Sequence, residues 1–308
     1  LTRKEHGFGN VVHENNLHLY PINSHSRIMM LWDAFVIGRG IAKQKRTESL
    51  VISAQDPLEM GWLCWFLSWI ENTKLHIQVH GDYFNGEAWV GGSLARRLRR
   101  CAALVLLRRT PRIRVVSERI RKSLIQKGIA SGKITVLPIR PELESFLRTP
   151  HVFKENPPYT FLYVGRLAPE KNISRMLRAF AELHSEHPQT HFRIVGDGEE
   201  NESITATVKS LGLQDSVSLV SWTENVPSEM AKADVFLLAS KHESYGLVLV
   251  EAMATGLPIV TTDVGCVGEV ARDGVHGIVV SEDNATSYAQ AMERMVTDTV
   301  FRRLCSDE

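Results

Sequence analysis

The sequence predicts an α/β protein of two domains, each a parallel sheet layered with helices, and three observations lead there. The chain has 308 residues, which at ~100–200 residues per domain is length for about two. Short β-rich apolar runs alternate with helix-length segments throughout, the pattern of parallel α/β layers. Between Pro138 and Pro158 that alternation dissolves into a polar stretch holding Pro138, Pro141, Pro150, Pro157 and Pro158. Proline excludes helix interiors and central strands, so the boundary is expected there, with domains over 1–152 and 153–308.

In the first domain strands are expected over 16–21, 49–53, 75–80, 114–117 and 134–138. Helices are expected over 26–42, 60–71, 93–108 and 117–127, the last opened by Ser117 as N-cap and closed by Gly128. The second domain starts afresh with a strand over 160–165. Helix 174–187, strand 191–196, helix 201–211 and strand 217–220 follow. Helix 227–233, strand 235–239, helix 246–255, strands 258–261 and 277–280 and helix 285–297 complete it. Each domain thus reads as Rossmann-like.

Apolar residues make up 44% and charged residues 23%, which excludes disordered, collagen-like and coiled-coil classes. The net charge of +1 hides a division. Residues 1–150 hold 23 Lys and Arg against 12 Asp and Glu, a net of +11, and residues 151–308 hold 13 against 23, a net of −10. From Arg96 to Lys127 run 12 basic residues against one acid, Glu118. Three readings stand open for this segment: a solvated helix surface, a patch for an anionic membrane, or a nucleic-acid face. The last lacks a recognisable nucleic-acid fold, so no nucleic acid is expected. Trp62, Trp65, Phe66 and Trp69 recur at helical spacing, a stripe more often packed in a core than set in a membrane interface. The four cysteines form no C-x-x-C pair, no signal peptide opens the chain and no run reaches the ~18 apolar residues of a spanning helix. A reducing, cytoplasmic setting is expected, peripheral on the inner membrane face if the basic run meets lipid.

The chemistry lies in the second domain, since open parallel sheets bind ligands beyond the carboxyl ends of their strands. The strand FLYVG runs into Arg166, and the loop reaches Lys171 before a helix. Two cations facing a helix N-terminus make a clamp for a diphosphate, against the plainer reading of a solvated turn. Further on, KHESYGLVLVEAMATGLPIVTT carries Glu243 in a loop, Gly246 at a helix start and Glu251 inside that helix. Helix-start amides with a glycine admit a phosphate. The two carboxylates would accept from a ribose diol and from sugar hydroxyls, or one caps the helix and the other is solvated.

Glu243 and Glu251, spaced as E-x(7)-E in ESYGLVLVEAMATGLPIV, resemble the donor-site signature of glycosyltransferase family 4. Those are retaining enzymes of the GT-B fold, two Rossmann-like domains facing a central cleft. The resemblance extends through YVGRLAPEKN, IVGDGEE, ADVFLLAS and VGCVGEVARDGVHGIVV, over nearly all of 158–297. SAQDPLEMG, QVHGDYF and IRVVSERIRKSLI resemble the first half more weakly. The resemblance implies that Arg166 and Lys171 hold and neutralise the donor diphosphate, with amides at Gly246 and Leu247 on the same phosphates. It implies that Glu251 binds the ribose, that Glu243 orients the transferred sugar, and that Ser244 and Tyr245 lie beside them. Gly196 would turn the backbone near the nucleotide, the base would sit near Ser221, Trp222 and Thr223, and His80 would face the donor sugar. Asp82, two residues on, is a further candidate for an acceptor hydroxyl.

No cofactor or metal is implied, only a nucleotide-diphosphate sugar as donor and a glycan, lipid-linked or small-molecule acceptor. No Asp-x-Asp is placed to carry a magnesium diphosphate. The chain also reads as clipped at both ends relative to that family, which opens a second reading, a catalytically silent nucleotide-sugar binding fragment. A dinucleotide oxidoreductase is disfavoured, because no G-x-G-x-x-G follows a strand.

Overall fold

A computed structural model describes residues 12–14, 17–20, 26–45, 49–84, 93–281 and 284–308. The chain divides into two compact units, Leu1–Leu137 and Pro138–Glu308.

The first unit opens with a hairpin, β1 (Val12–Glu14) against β2 (Leu17–Leu19), antiparallel with Val12 opposite Leu19. The sequence predicts a strand here among those of the sheet; it pairs locally instead and stays outside the sheet. Helix α1 (Arg27–Gln44) follows, its N-cap Ser26 accepting from the Met29 amide. Then β3 (Val51–Ala54), α2 (Glu59–Ile70), β4 (Lys74–Val79), α3 (Leu94–Arg109), β5 (Arg112–Val115), α4 (Glu118–Gln126) and β6 (Ile134–Val136) alternate. The strands form a parallel sheet in the order β3-β4-β5-β6. Right-handed crossovers between successive neighbours put α2, α3 and α4 on one face, with α1 packed beside α2. Ser117 caps α4 by accepting from the Ile120 amide, and Gly128 beyond it has φ +82°, both as the sequence predicts.

One expectation is overturned. The aromatic stripe of α2 is not its core face: Gly61, Cys64, Leu67 and Ser68 are buried, while Phe66 and Trp69 are 43% and 70% exposed. Gly61 shows why the small face turns inward, since a Cβ there would meet the Asp56 carbonyl at 2.7 Å. The basic run is partly spent within the unit. Arg99 pairs with Glu59 and Arg121 with Glu118, Arg108 donates to the Lys127 carbonyl, and Arg114 donates to Leu137 O and Gln78.

The second unit opens with the short helix α5 (Glu144–Leu147) and β7 (Tyr159–Val164). There follow α6 (Ile173–Glu186), β8 (Thr190–Val195), α7 (Asn201–Ser210), β9 (Val217–Val220), α8 (Val226–Lys232) and β10 (Val235–Leu238). The rest is α9 (Leu247–Ala254), β11 (Ile259–Thr262), β12 (Gly277–Val280), α10 (Ala285–Thr297) and α11 (Thr299–Asp307). Six parallel strands lie in the order β12-β11-β10-β7-β8-β9. The central runs are apolar, as strands buried on both faces require, and all four residues of β10 and of β11 are buried, whereas β8 and the edge strand β9 carry exposed positions. The sequence boundary at 152/153 falls inside this unit. His151 N donates to the Thr255 carbonyl and Val152 N to that of Ala231, tying the proline-rich stretch to the second sheet. All four cysteines are free, and among the described residues no helix is long and apolar enough to cross a membrane.

Candidate active site at the switch point of the second sheet

The chain lays β8 and β9 to one side of β7, then crosses to place β10, β11 and β12 on the other. The order therefore reverses between β7 and β10, and ligands of open α/β sheets bind in the crevice beyond such a reversal. A cavity of about 290 Å³ lies there, lined among others by Tyr163, Gly165, Lys171, Glu243, Ser244, Tyr245, Gly246 and Leu247.

Three loops meet around it, and glycines let them approach. Gly196 has φ +146°, and a Cβ there would stand 1.9 Å from the Gly165 carbonyl oxygen. Gly265 has φ +58°, and its Cβ would meet the Tyr245 carbonyl at 2.4 Å. The Cys266 amide donates to that carbonyl at 2.7 Å. Gly196 is thus required by backbone against backbone.

Lys171 ends a single 3-10 turn, Pro169–Lys171, ahead of α6. Its Nζ lies 2.6 Å from Glu243 Oε1, both side chains mostly shielded. Ser240, buried at the end of the β10 strand, donates its hydroxyl to the same oxygen at 2.8 Å, and Thr262 Oγ1 donates to the Ser240 carbonyl. With Oε1 taken twice, no protein donor reaches Oε2 among the described residues. Gly246, at φ +78°, is the N-cap of α9, and no side chain caps that terminus; the Leu249 amide turns back to the Gly246 carbonyl at 2.9 Å, and the amides ahead of it are of the kind that attract an anion.

Arg166 lies in the loop after β7, is 67% exposed and pairs with Glu170 rather than lining the cavity. Its backbone is fixed from below: the buried Tyr163 hydroxyl donates to the Arg166 carbonyl at 2.9 Å. Burial, then the charges of Glu243 and Glu170, push the Tyr163 phenol up, so it stays a neutral donor. Glu251, in the second turn of α9, is half-buried with its carboxyl pushed up by burial alone, and it does not line the cavity. Trp222 is largely exposed, and its amide donates to Asp197 Oδ2 at 2.8 Å, joining the loops after β8 and β9.

His80 stands in the first unit, just past β4. Its Nε2 donates to Gln55 Oε1 at 2.8 Å, and burial, then the Arg114 charge, push its pKa down, leaving Nδ1 an acceptor at neutral pH. Asp82 Oδ1 accepts from Ser123 Oγ at 2.8 Å and from the Phe84 amide at 3.1 Å, which ties its loop to α4.

The structure therefore gathers Lys171, Glu243, Ser244, Tyr245, Gly246 and Leu247 at one cavity, with Arg166, Gly196, Glu251 and Trp222 in the adjoining loops and helix. Sequence reasoning passed over Ser240 and Tyr163. The signal was a polar group inside an apolar strand for Tyr163 and just past one for Ser240, where burial requires a partner.

A parallel sheet with a cation, a carboxylate and a helix start without a side-chain cap at its reversal defines an α/β protein with a crevice of the kind that open sheets use for ligands. The comparisons narrow this. Residues 146–307 match the family model described as Glycosyl transferases group 1, and the chain belongs to that family. It is 34% identical over 143 residues to alpha-D-kanosaminyltransferase of Streptomyces kanamyceticus, covering 46% of this chain and 37% of that protein. It is 32% identical over 178 residues to poly(glycerol-phosphate) alpha-glucosyltransferase of Bacillus subtilis, covering 54% and 26%. The match thus spans well under half the length of these relatives. The GT-B fold is shared with sucrose-phosphate synthase of Thermosynechococcus elongatus (TM-score 0.79, 20% identity, 99% of this chain and 80% of that one). It is shared also with HepE of Anabaena in complex with UDP and glucose (0.74, 19%, 93% and 78%).

Proposed function

We propose that this protein transfers a sugar, with retained anomeric configuration, from a nucleotide-diphosphate sugar to a glycan, lipid-linked or small-molecule acceptor. One observation carries the reading: the Lys171–Glu243 pair beside the uncapped start of α9 at the β7/β10 reversal. Cleaving the glycosidic bond leaves negative charge on the departing diphosphate and an oxocarbenium-like sugar. Lys171, the first amides of α9 and Arg166, swung from Glu170, stabilise the diphosphate. Lys171 is preorganised by Glu243, whereas for Arg166 only the backbone is fixed, through Tyr163, and its guanidinium has to move in. Glu243 offers Oε2 to the hydroxyls of the transferred sugar, with Ser244 and Tyr245 completing the wall. Glu251 takes the ribose hydroxyls, and Trp222 and the Gly196 loop receive the base. His80 presents its Nδ1 acceptor to the donor sugar. Charge neutralisation by protein groups means the reaction runs without a metal or other cofactor.

The test is thermal stabilisation of the protein by a panel of UDP-, GDP- and ADP-sugars, paired with a transfer and donor-hydrolysis assay. The UDP found with HepE puts UDP-sugars first. A ligand of the folded state stabilises it in proportion to ln(1 + [L]/Kd). One base class is expected to raise Tm, and Arg166→Ala to lower turnover by about 10²–10³. Stabilisation without turnover would instead support a silent nucleotide-sugar binder, and no stabilisation by any nucleotide would sink both readings.

A further inference from the structure

On the first unit the helical layer α1–α3 bears an exposed apolar surface that holds none of the candidate site residues. Ile28, Met29, Trp32 and Val36 on α1, Phe66 and Trp69 on α2, and Leu94, Leu98 and Val105 on α3 are all exposed. These nine are nearly half of the 20 exposed large apolar side chains among the described residues, concentrated on adjacent helices instead of scattered. Contiguous exposed apolar surface marks an interaction site. The rings of Trp32, Phe35, Phe66 and Trp69 form a ladder with centroids 5.9, 5.8 and 6.1 Å apart.

Beside Trp69 opens a groove of about 590 Å³ with Trp65 on its wall and Lys74, Arg109 and Arg112 around it. Each of those three cations is exposed and pairs with no acid among the described residues. No acidic residue occurs anywhere in α3, where Arg97 adds another exposed cation beside Leu98. The groove lies where β4 and β5 begin, the opposite end of those strands from His80.

We propose that α1–α3 dock this protein on a bilayer containing anionic phospholipid, the aromatic ladder at the acyl–headgroup boundary and Lys74, Arg109 and Arg112 on lipid phosphates. Apolar side chains alternating with arginine on an exposed helix suit the interfacial plane, where long basic side chains reach the headgroups. Tryptophan favours that depth. A second copy fits less well, because a two-fold contact would bring the same unpaired cations face to face. Nucleic acid fits less well too: the ladder's rings lie against one another, whereas base binding needs free aromatic faces. The proposal stands independently of the sugar-transfer reading, since docking needs no donor.

The test is flotation of the full chain with vesicles of phosphatidylcholine alone and with about 30% phosphatidylglycerol, at low salt and near 0.5 M NaCl. Binding is expected to the anionic vesicles only, to be lost at high salt, and to bring a blue shift of tryptophan emission quenched by brominated lipid. The triple variant Lys74→Gln, Arg109→Gln, Arg112→Gln should partition about a hundredfold less, at roughly fivefold per basic residue. Phe66→Ser with Trp69→Ser should remove most of the blue shift. All five side chains are surface-exposed, and circular dichroism checks that the variants fold; the salt series on the unaltered chain stands whatever they do. The proposal is overturned by no flotation, by equal flotation on neutral vesicles, or by salt-insensitive binding. It is equally overturned by tighter binding to a single-stranded oligonucleotide, or by concentration-dependent dimers that shield the tryptophans without lipid.

Discussion

Two carboxylates of one motif behave differently once folded, and the difference is testable. Glu243 is satisfied by Lys171 and Ser240, whereas Glu251 is half-buried with its pKa raised by burial alone. A carboxyl whose folded pKa exceeds its unfolded value binds its proton more tightly when folded. Stability is then greatest below the unfolded pKa and declines as pH rises through the folded value. Glu251→Gln should therefore stabilise the protein at neutral pH, flatten its stability between mildly acid and neutral pH, and weaken nucleotide binding. Denaturant titrations across pH with and without nucleotide check this; a variant no more stable at pH 7 would mean that burial imposes no strain there. Ser240→Ala removes one of the two donors on Glu243 Oε1. A hydrogen bond to a charged group is worth roughly 1.5–3 kcal/mol, so kcat/KM for the donor should fall about tenfold or more, read by steady-state kinetics. At this scale the sequence announced the residues that stand in loops after strands, Lys171, Glu243 and Gly246, because that placement is itself a signal. Ser240 and Tyr163 stayed hidden, since which loop a buried hydroxyl supports is decided only by the fold.

At the scale of elements, most helices and strands of the second unit were legible, because their apolar runs have a clear period and glycine or proline stands near many of their ends. Three local elements were not, the first being α5, a single turn inside the proline-rich stretch. The β1–β2 hairpin is three residues a side, too short to tell a local pair from a sheet strand. The final helix α11 is announced only by Asp298, whose carboxylate caps it by accepting from the Phe301 amide at 2.9 Å, and by apolar Phe301, Leu304 and Cys305. That helix acts as a clasp. Arg302, 1% exposed, donates to the carbonyls of Met295 and Lys154 at 2.7 and 2.6 Å, with its guanidinium over the rings of Tyr159 and Phe153. Arg302→Ala would leave two carbonyls without donors and a hole between the rings, at a cost of about 3 kcal/mol. Urea unfolding should show the loss; a midpoint shifted by less than a third of that would mean α11 is held by its apolar face alone.

Across the whole molecule, the charge division and the proline-rich stretch announced two units, but they misplaced the seam. Prolines mark where regular elements cannot continue, not which core the intervening chain joins. The stretch 138–152 belongs with the second sheet: Phe146 is buried, α5 lies against α9, and His151 and Val152 donate to that unit's backbone. Because α9 presents the amides proposed to meet the diphosphate, its contact with α5 would link the seam to that role. Two fragments separate these accounts. Residues 138–308 carry the complete packing of α9, and should fold and bind the same nucleotide that stabilises the full chain. Residues 153–308, cut at the boundary that prolines suggest, expose the face of α9 that α5 covers and lose the burial of Phe146, worth roughly 1.5–3 kcal/mol. They lose the two backbone bonds as well, each about 1 kcal/mol. The shorter fragment should unfold about 3–5 kcal/mol more easily and bind nucleotide more weakly, its α9 no longer held at the reversal of the strands. Equal stability and equal nucleotide affinity of the two fragments, measured by denaturant titration and calorimetry, would return the seam to residue 152 and leave α9 self-supporting.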